Sequence, residues 1–127
     1  MSNIYTKGTL KTPEVKLNNN GELSLYGVSM GETVENFYKP IFEWVDVFSL
    51  TNPERINLIL SFEYLNTPSV HLIVKLINKI SLFKKAGTNI NITWQYEEDD
   101  ESIFELGEDI EISSKSKFTF EPVNTVS

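Results

Sequence analysis

Two hydroxyls, a carboxamide and the chain's single histidine fall within six residues, as Asn66, Thr67, Ser69 and His71 of the run Asn66-Thr67-Pro68-Ser69-Val70-His71. Just upstream, Ile56-Asn57-Leu58-Ile59-Leu60-Ser61-Phe62 alternates like a β-strand; just downstream, Ile73, Leu76, Ile77, Ile80 and Phe83 recur at helical spacing. The run therefore spans a strand end and a helix start. Thr67 is expected as the helix N-cap and Pro68 as the first helical residue, a position that suits proline because its missing N–H would be unpaired there anyway. Free backbone N–H groups and the positive end of the helix dipole converge at such a point, so a phosphate is well accommodated. Phosphorylating Thr67 or Ser69 would add about 1.5 to 2 negative charges. The helix end tolerates that charge, whereas a partner packed against it would meet a desolvated dianion and be expelled. The structural role of the same threonine, a cap worth about 1 kcal/mol, is the competing reading. The chemistry permits a switch without demanding one.

Other chemistries find little support. His71 falls on the polar face of its helix, and no second histidine or any cysteine exists to complete a metal site or a thiol-based pair. Neither a G-x-S-x-G elbow nor a G-x-x-x-x-G-K-[ST] or G-x-G-x-x-G phosphate loop is present. The acidic run Glu97-Glu98-Asp99-Asp100-Glu101, continued by Glu105, Glu108, Asp109 and Glu111, lacks the spacing and glycine of an EF-hand. It reads as a solvated face, or as a docking face for a basic partner. Trp44 and Trp94 lie on apolar stripes and are assigned to the core. The expectation is a protein that is not an enzyme and needs no cofactor or metal.

The elements that position this run follow from hydropathy and turn chemistry. At 127 residues the expectation is a single domain, residues 1–127, with a loose tail over about 122–127. A short edge strand within residues 1–12 precedes a hairpin, Pro13–Leu17 and Leu23–Val28, turned by Asn18-Asn19-Asn20-Gly21. Val34, Phe37, Ile41, Trp44, Val45 and Phe48 form a helical stripe. A capping box from Ser29 to Glu32, or Thr33 alone, is expected to start that helix, and Pro40 either kinks it or opens a second one. The strand from Ile56 to Tyr64 is apolar on both faces and is expected to be central and covered. The helix after it should run from Pro68 to about Lys85 and stop near Gly87. Ile90 to Tyr96 alternates as a further strand, the acidic run is expected to open a short helix, and Lys117–Phe120 is a last edge strand. This order implies an α/β fold, a mixed β-sheet with crossover helices. The net charge of −7 argues against binding nucleic acid. No segment has the apolar core of a signal peptide or the length of a membrane span, so no membrane association and a cytoplasmic location are expected.

A set of short segments in this order resembles the SiaC family of bacterial regulatory phosphoproteins. They are Thr12-Pro13-Glu14-Val15 with the hairpin, Glu35-Asn36-Phe37-Tyr38-Lys39-Pro40 through Trp44, Phe62-Glu63-Tyr64-Leu65-Asn66-Thr67, Trp94-Gln95-Tyr96 with the acidic run, and Gly107-Glu108-Asp109. The resemblance implies a STAS-like fold, similar to anti-anti-sigma factors, and a threonine that is reversibly phosphorylated within an Asn-Thr-Ser-Ser motif. Aligned on that motif, the acceptor is Thr67, with Asn66, Ser69 and His71 in the surface read by partners. The implied partners are a serine/threonine kinase with a histidine-kinase-like ATP domain, a metal-dependent phosphatase, and an effector such as a diguanylate cyclase, coupling the switch to cyclic di-GMP and biofilm control. The chain departs from the motif at Pro68, which replaces the first serine, and at His71, where a lysine is usual.

Two other functions share these residues. One is a STAS-like anti-anti-sigma module binding an anti-sigma-type kinase to control transcription. The other is a constitutive structural adaptor in which Thr67 is only a cap.

Overall fold

Period-two alternation and the Asn-Asn-Asn-Gly turn build the first part of the chain. Strands β1 (Ile4–Thr6), β2 (Glu14–Leu17) and β3 (Glu22–Ser29) form an antiparallel meander, with Leu17 opposite Leu23 across the turn. Gly21 adopts φ 97°, and the Arg55 carbonyl occupies the place where a side chain would begin, so only glycine fits. Then follow α1 (Val34–Ser49), β4 (Arg55–Leu65), α2 (Thr67–Ser81) with a 3-10 extension Leu82–Ala86, β5 (Asn89–Glu97), α3 (Glu101–Ser114) and β6 (Thr119–Val123). This is a computed structural model, and it describes residues 1–32 and 34–124.

The six strands lie in chain order, β1-β2-β3-β4-β5-β6, with β3 to β6 mutually parallel. Parallel neighbours need crossover helices, and the crossovers have one hand. Because the sheet grows in one direction only, α1, α2 and α3 all fall on the same face, with α2 in the middle. The core is that single interface. Val15, Leu17, Leu23, Leu25, Ile56, Leu58, Leu60, Phe62, Ile92 and Trp94 point into it from the sheet; Tyr38, Trp44, Phe48, Ile73, Ile77, Ile80 and Ile110 meet them from the helices.

The mixed sheet with crossover helices is as expected, but several local expectations are corrected. β4 is central yet covered on one face only: Asn57, Ile59 and Ser61 look out between flanking strands and are partly shielded by them, not by a helix. The Ser29 capping box does not form, since Ser29 ends β3 and is buried; Thr33 lies outside the described residues. Pro40 sits within one continuous α1, where its ring and Asn36, whose carbonyl loses its i+4 donor, are both exposed to water. α3 is 14 residues long, longer than expected, and Gly107 within it lets it approach the Trp94 indole. Pro122 and Val123, placed in the expected tail, belong to β6, an edge position that tolerates proline; residues 125–127 lie outside the described residues.

Candidate functional site

The parallel strands deliver their C-terminal ends to one edge, where ligand and partner sites of open α/β sheets usually lie. β4 reaches that edge through a register shift. Gly27 pairs with Phe62 but Val28 pairs with Tyr64, so Glu63 is the extra residue. A bulge of this kind reverses the alternation. Glu63 and Tyr64 both face out, Leu65 turns back into the core, and the chain enters α2 at Asn66.

Asn66, not Thr67, is the N-cap. Its Oδ1 accepts from the Ser69 amide at 3.0 Å, its Nδ2 donates to the Gly31 carbonyl at 3.3 Å, and its own amide donates to the Ser29 carbonyl at 3.0 Å. The first of these bonds caps the helix, and the other two pin the strand-to-helix corner to the chain at the end of β3. Thr67 becomes the first helical residue and Pro68 the second. Both are exposed, and Thr67 Oγ1 has no hydrogen-bond partner among the described residues.

The donor set at this helix start is sparser than expected. Pro68 has no N–H, the Ser69 amide is taken by the cap, and the Val70 amide bonds the Asn66 carbonyl. What remains for an anion is the Thr67 amide and the helix dipole.

Ser69 is placed differently from the expected surface position. It is fully buried, and its Oγ lies 2.8 Å from Ser29 Oγ, which lies 2.8 Å from the Tyr38 hydroxyl. This chain of three hydroxyls ties the first turn of α2 to the end of β3 and to α1. Burial pushes the Tyr38 phenol up to about 12, against a smaller lowering by its Ser29 hydrogen bond, so it stays a neutral partner. Of the two hydroxyls in the first turn, only that of Thr67 is open to an enzyme. His71 lies one helical turn beyond Thr67 and is exposed, so the structure brings Asn66, Thr67 and His71 to one surface and withdraws Ser69 from it. The burial of Ser69 had a sequence signal: it stands four residues before Ile73, on the apolar stripe of α2.

The acidic run divides. Asp100 is the N-cap of α3, its Oδ1 accepting from the Ile103 amide at 3.1 Å; Glu98 accepts from Asn124; Asp99 and Glu101 are exposed. Among the described residues, no three of His, Asp and Glu converge as metal ligands would.

Sheet, helices and capped helix start together define a small mixed α/β domain. Residues 6–123 match the family described as SiaC family regulatory phosphoprotein, and the chain belongs to that family. It is 26% identical over 110 residues to an uncharacterized protein of Pseudomonas aeruginosa (strain UCBPP-PA14), covering 86% of this chain and 87% of that one. The crystal structure of apo-SiaC from Pseudomonas aeruginosa is similar with a TM-score of 0.83 at 25% identity, over 96% of this chain and 98% of that chain. The fold also matches a chain in the crystal structure of the diguanylate cyclase SiaD in complex with its activator SiaC, from the same species. There the TM-score is 0.83 at 24% identity, over 94% of this chain and 97% of that one. No helix among the described residues is long and apolar enough to cross a membrane.

Proposed function

We propose that this protein is a non-enzymatic signalling switch whose phosphorylation on Thr67 decides which partner it holds. The observation that carries the reading is the contrast within one helix turn: Thr67 is exposed with a free hydroxyl, while Asn66 and Ser69 on either side are locked by hydrogen bonds. An acceptor of this kind can enter a kinase without unfolding its surroundings. The phosphate would sit at the positive end of α2, so the fold would survive the added charge. A partner packed there would not tolerate it.

The family resemblance supports the identity of the partners: a kinase with a histidine-kinase-like ATP domain, a metal-dependent phosphatase and a diguanylate cyclase effector. The relative seen with SiaD is described as that cyclase's activator, which supports the last of these. On this reading the unphosphorylated form activates the cyclase through the surface around Asn66, Thr67 and His71. Pull-down and activity of the purified cyclase test it. Wild type and Thr67→Ala should bind and activate, and Thr67→Asp should bind at least about tenfold more weakly. Equal binding by Thr67→Asp would favour the constitutive adaptor instead.

A further inference from the structure

The outward stripe of α2 runs far beyond the residues discussed above. Thr67, His71, Lys75, Asn78 and Leu82 follow one another at steps of four, four, three and four, and all are exposed. Residues 67–86 contain Lys75, Lys79, Lys84 and Lys85 and no aspartate or glutamate, in a chain with 18 acidic residues against 11 basic ones. The neighbouring helices are more acidic: α1 carries Glu35, Glu43 and Asp46 against Lys39, and α3 carries Glu101, Glu105, Glu108, Asp109 and Glu111 with no basic residue. With Lys75 on this stripe, Lys79 paired to Asp46 and Lys84 and Lys85 exposed on the extension, α2 and its extension form a ridge of positive charge between more acidic helices.

The ridge ends at a hole. Between α1 and the 3-10 extension of α2 lies a cavity of about 190 Å³, whose apolar wall includes Val45, Pro53, Leu82, Phe83 and Ala86. The ion pair of Lys79 and Asp46, 2.7 Å apart, stands at its rim, and Leu82 beside it is 59% exposed. The volume falls below the roughly 300 Å³ at which small-molecule pockets begin, and suits one inserted side chain.

We propose that this ridge and cavity form a docking face for an acidic segment of a protein partner, which seats one apolar side chain in the cavity while its carboxylates meet Lys75, Lys84 and Lys85. Charge complementarity selects that occupant over a basic segment, which the cationic ridge repels. The face continues the Thr67 surface but does not depend on it. Leu82 is 15 residues along the helix from Thr67, about 22 Å at 1.5 Å per residue, well beyond the roughly 8 Å screening length of physiological salt. A partner lying along α2 therefore has a constant anchor at one end and a switchable contact at the other.

The test uses the full chain and a fluorescent synthetic peptide rich in aspartate and glutamate with one central phenylalanine. Binding is followed by anisotropy, and the contact is mapped by amide NMR shifts. The expected result is saturable binding that weakens with salt, shifts confined to residues 75–88, and at least about tenfold loss on Lys84→Glu with Lys85→Glu, or on replacing the peptide's phenylalanine by alanine. Thr67→Asp should change this affinity by less than about twofold. Absence of binding, equal binding by the charge-reversed chain, or shifts centred on α3 would overturn the proposal. So would a concentration-dependent dimer that the charge reversal dissolves, because a second copy offers α3 with its exposed Ile112 as an acidic, apolar-tipped occupant. If the peptide fails while Thr67→Asp still releases the cyclase, only the docking face is lost. If the peptide binds as described and Thr67→Asp releases nothing, only the switch is.

Discussion

Helices α2 and α3 begin in the same way and carry opposite electrostatics. Each is capped by an Asx side chain that accepts from the third helical amide: Asn66 from Ser69 at 3.0 Å, and Asp100 from Ile103 at 3.1 Å. Each start is also fastened to the sheet. At α3 the Trp94 indole N–H donates to the Ile103 carbonyl at 3.1 Å; at α2 the fastening is the chain of Ser69, Ser29 and Tyr38 hydroxyls. The difference is charge. α3 begins with Asp100 and Glu101, so its dipole is permanently matched. α2 has no acidic residue in its first turn and presents an exposed threonine at its first position. A phosphate on Thr67 would give α2 what α3 already has. The cap holds the corner still while the residue after it stays exposed with an unbonded hydroxyl.

Seven substitutions break or sharpen this comparison. The largest effect is expected at the α3 fastening. A Cβ at Gly107 would lie 2.5 Å from Trp94 Nε1, so Gly107→Ala should cost about 2–3 kcal/mol in urea unfolding, although alanine normally improves a helix. The α2 fastening comes next. Ser29→Ala removes the shared partner of two buried hydroxyls and should cost about 2 kcal/mol by the same measurement. The two caps should then behave alike: Asn66→Ala and Asp100→Ala each lose about 1 kcal/mol, while Thr67→Ala stays within about 0.5 kcal/mol of wild type. That contrast separates the observed cap from the one expected on sequence. The smallest effects should have opposite signs. Thr67→Asp should stabilise, and Glu101→Gln destabilise, each by about 0.5 kcal/mol at low salt in thermal melts, and both should fade as salt is added.

Much of the architecture was legible because it rests on short-range signals. The turn at Asn18 to Gly21, the alternation through β4 and β5, and the apolar stripe of α2 with its stop at Gly87 are local properties. What failed depended on distant neighbours. Asn66 and Thr67 are both good caps, and Pro68 fits the first or second helical position equally. The choice falls to Asn66 because Gly31 and Ser29, remote in sequence, offer it partners. Ile59 makes β4 look covered on both faces, yet the strand order places α1, α2 and α3 on one face. The resemblance sets Ser69 in the surface read by partners, although its place on the Ile73 stripe marks it as buried. The family's segments located the exposed threonine; the hydroxyl chain beneath it became visible only when β3, α1 and α2 were brought together.

The most direct measurement is site-resolved mass spectrometry of this chain after reaction with ATP and a kinase of the proposed class, one with a histidine-kinase-like ATP domain. Thr67 and Ser102 are both exposed hydroxyls in the first turn of a capped helix, but Ser102 lies beside Glu101 and behind the acidic run. A single phosphate on Thr67, with none on Ser69 or Ser102 and none at all in Thr67→Ala, is the result predicted. Phosphate on Ser69 or Ser102 with Thr67 unmodified, or an unchanged mass under conditions where the kinase is active, would contradict it.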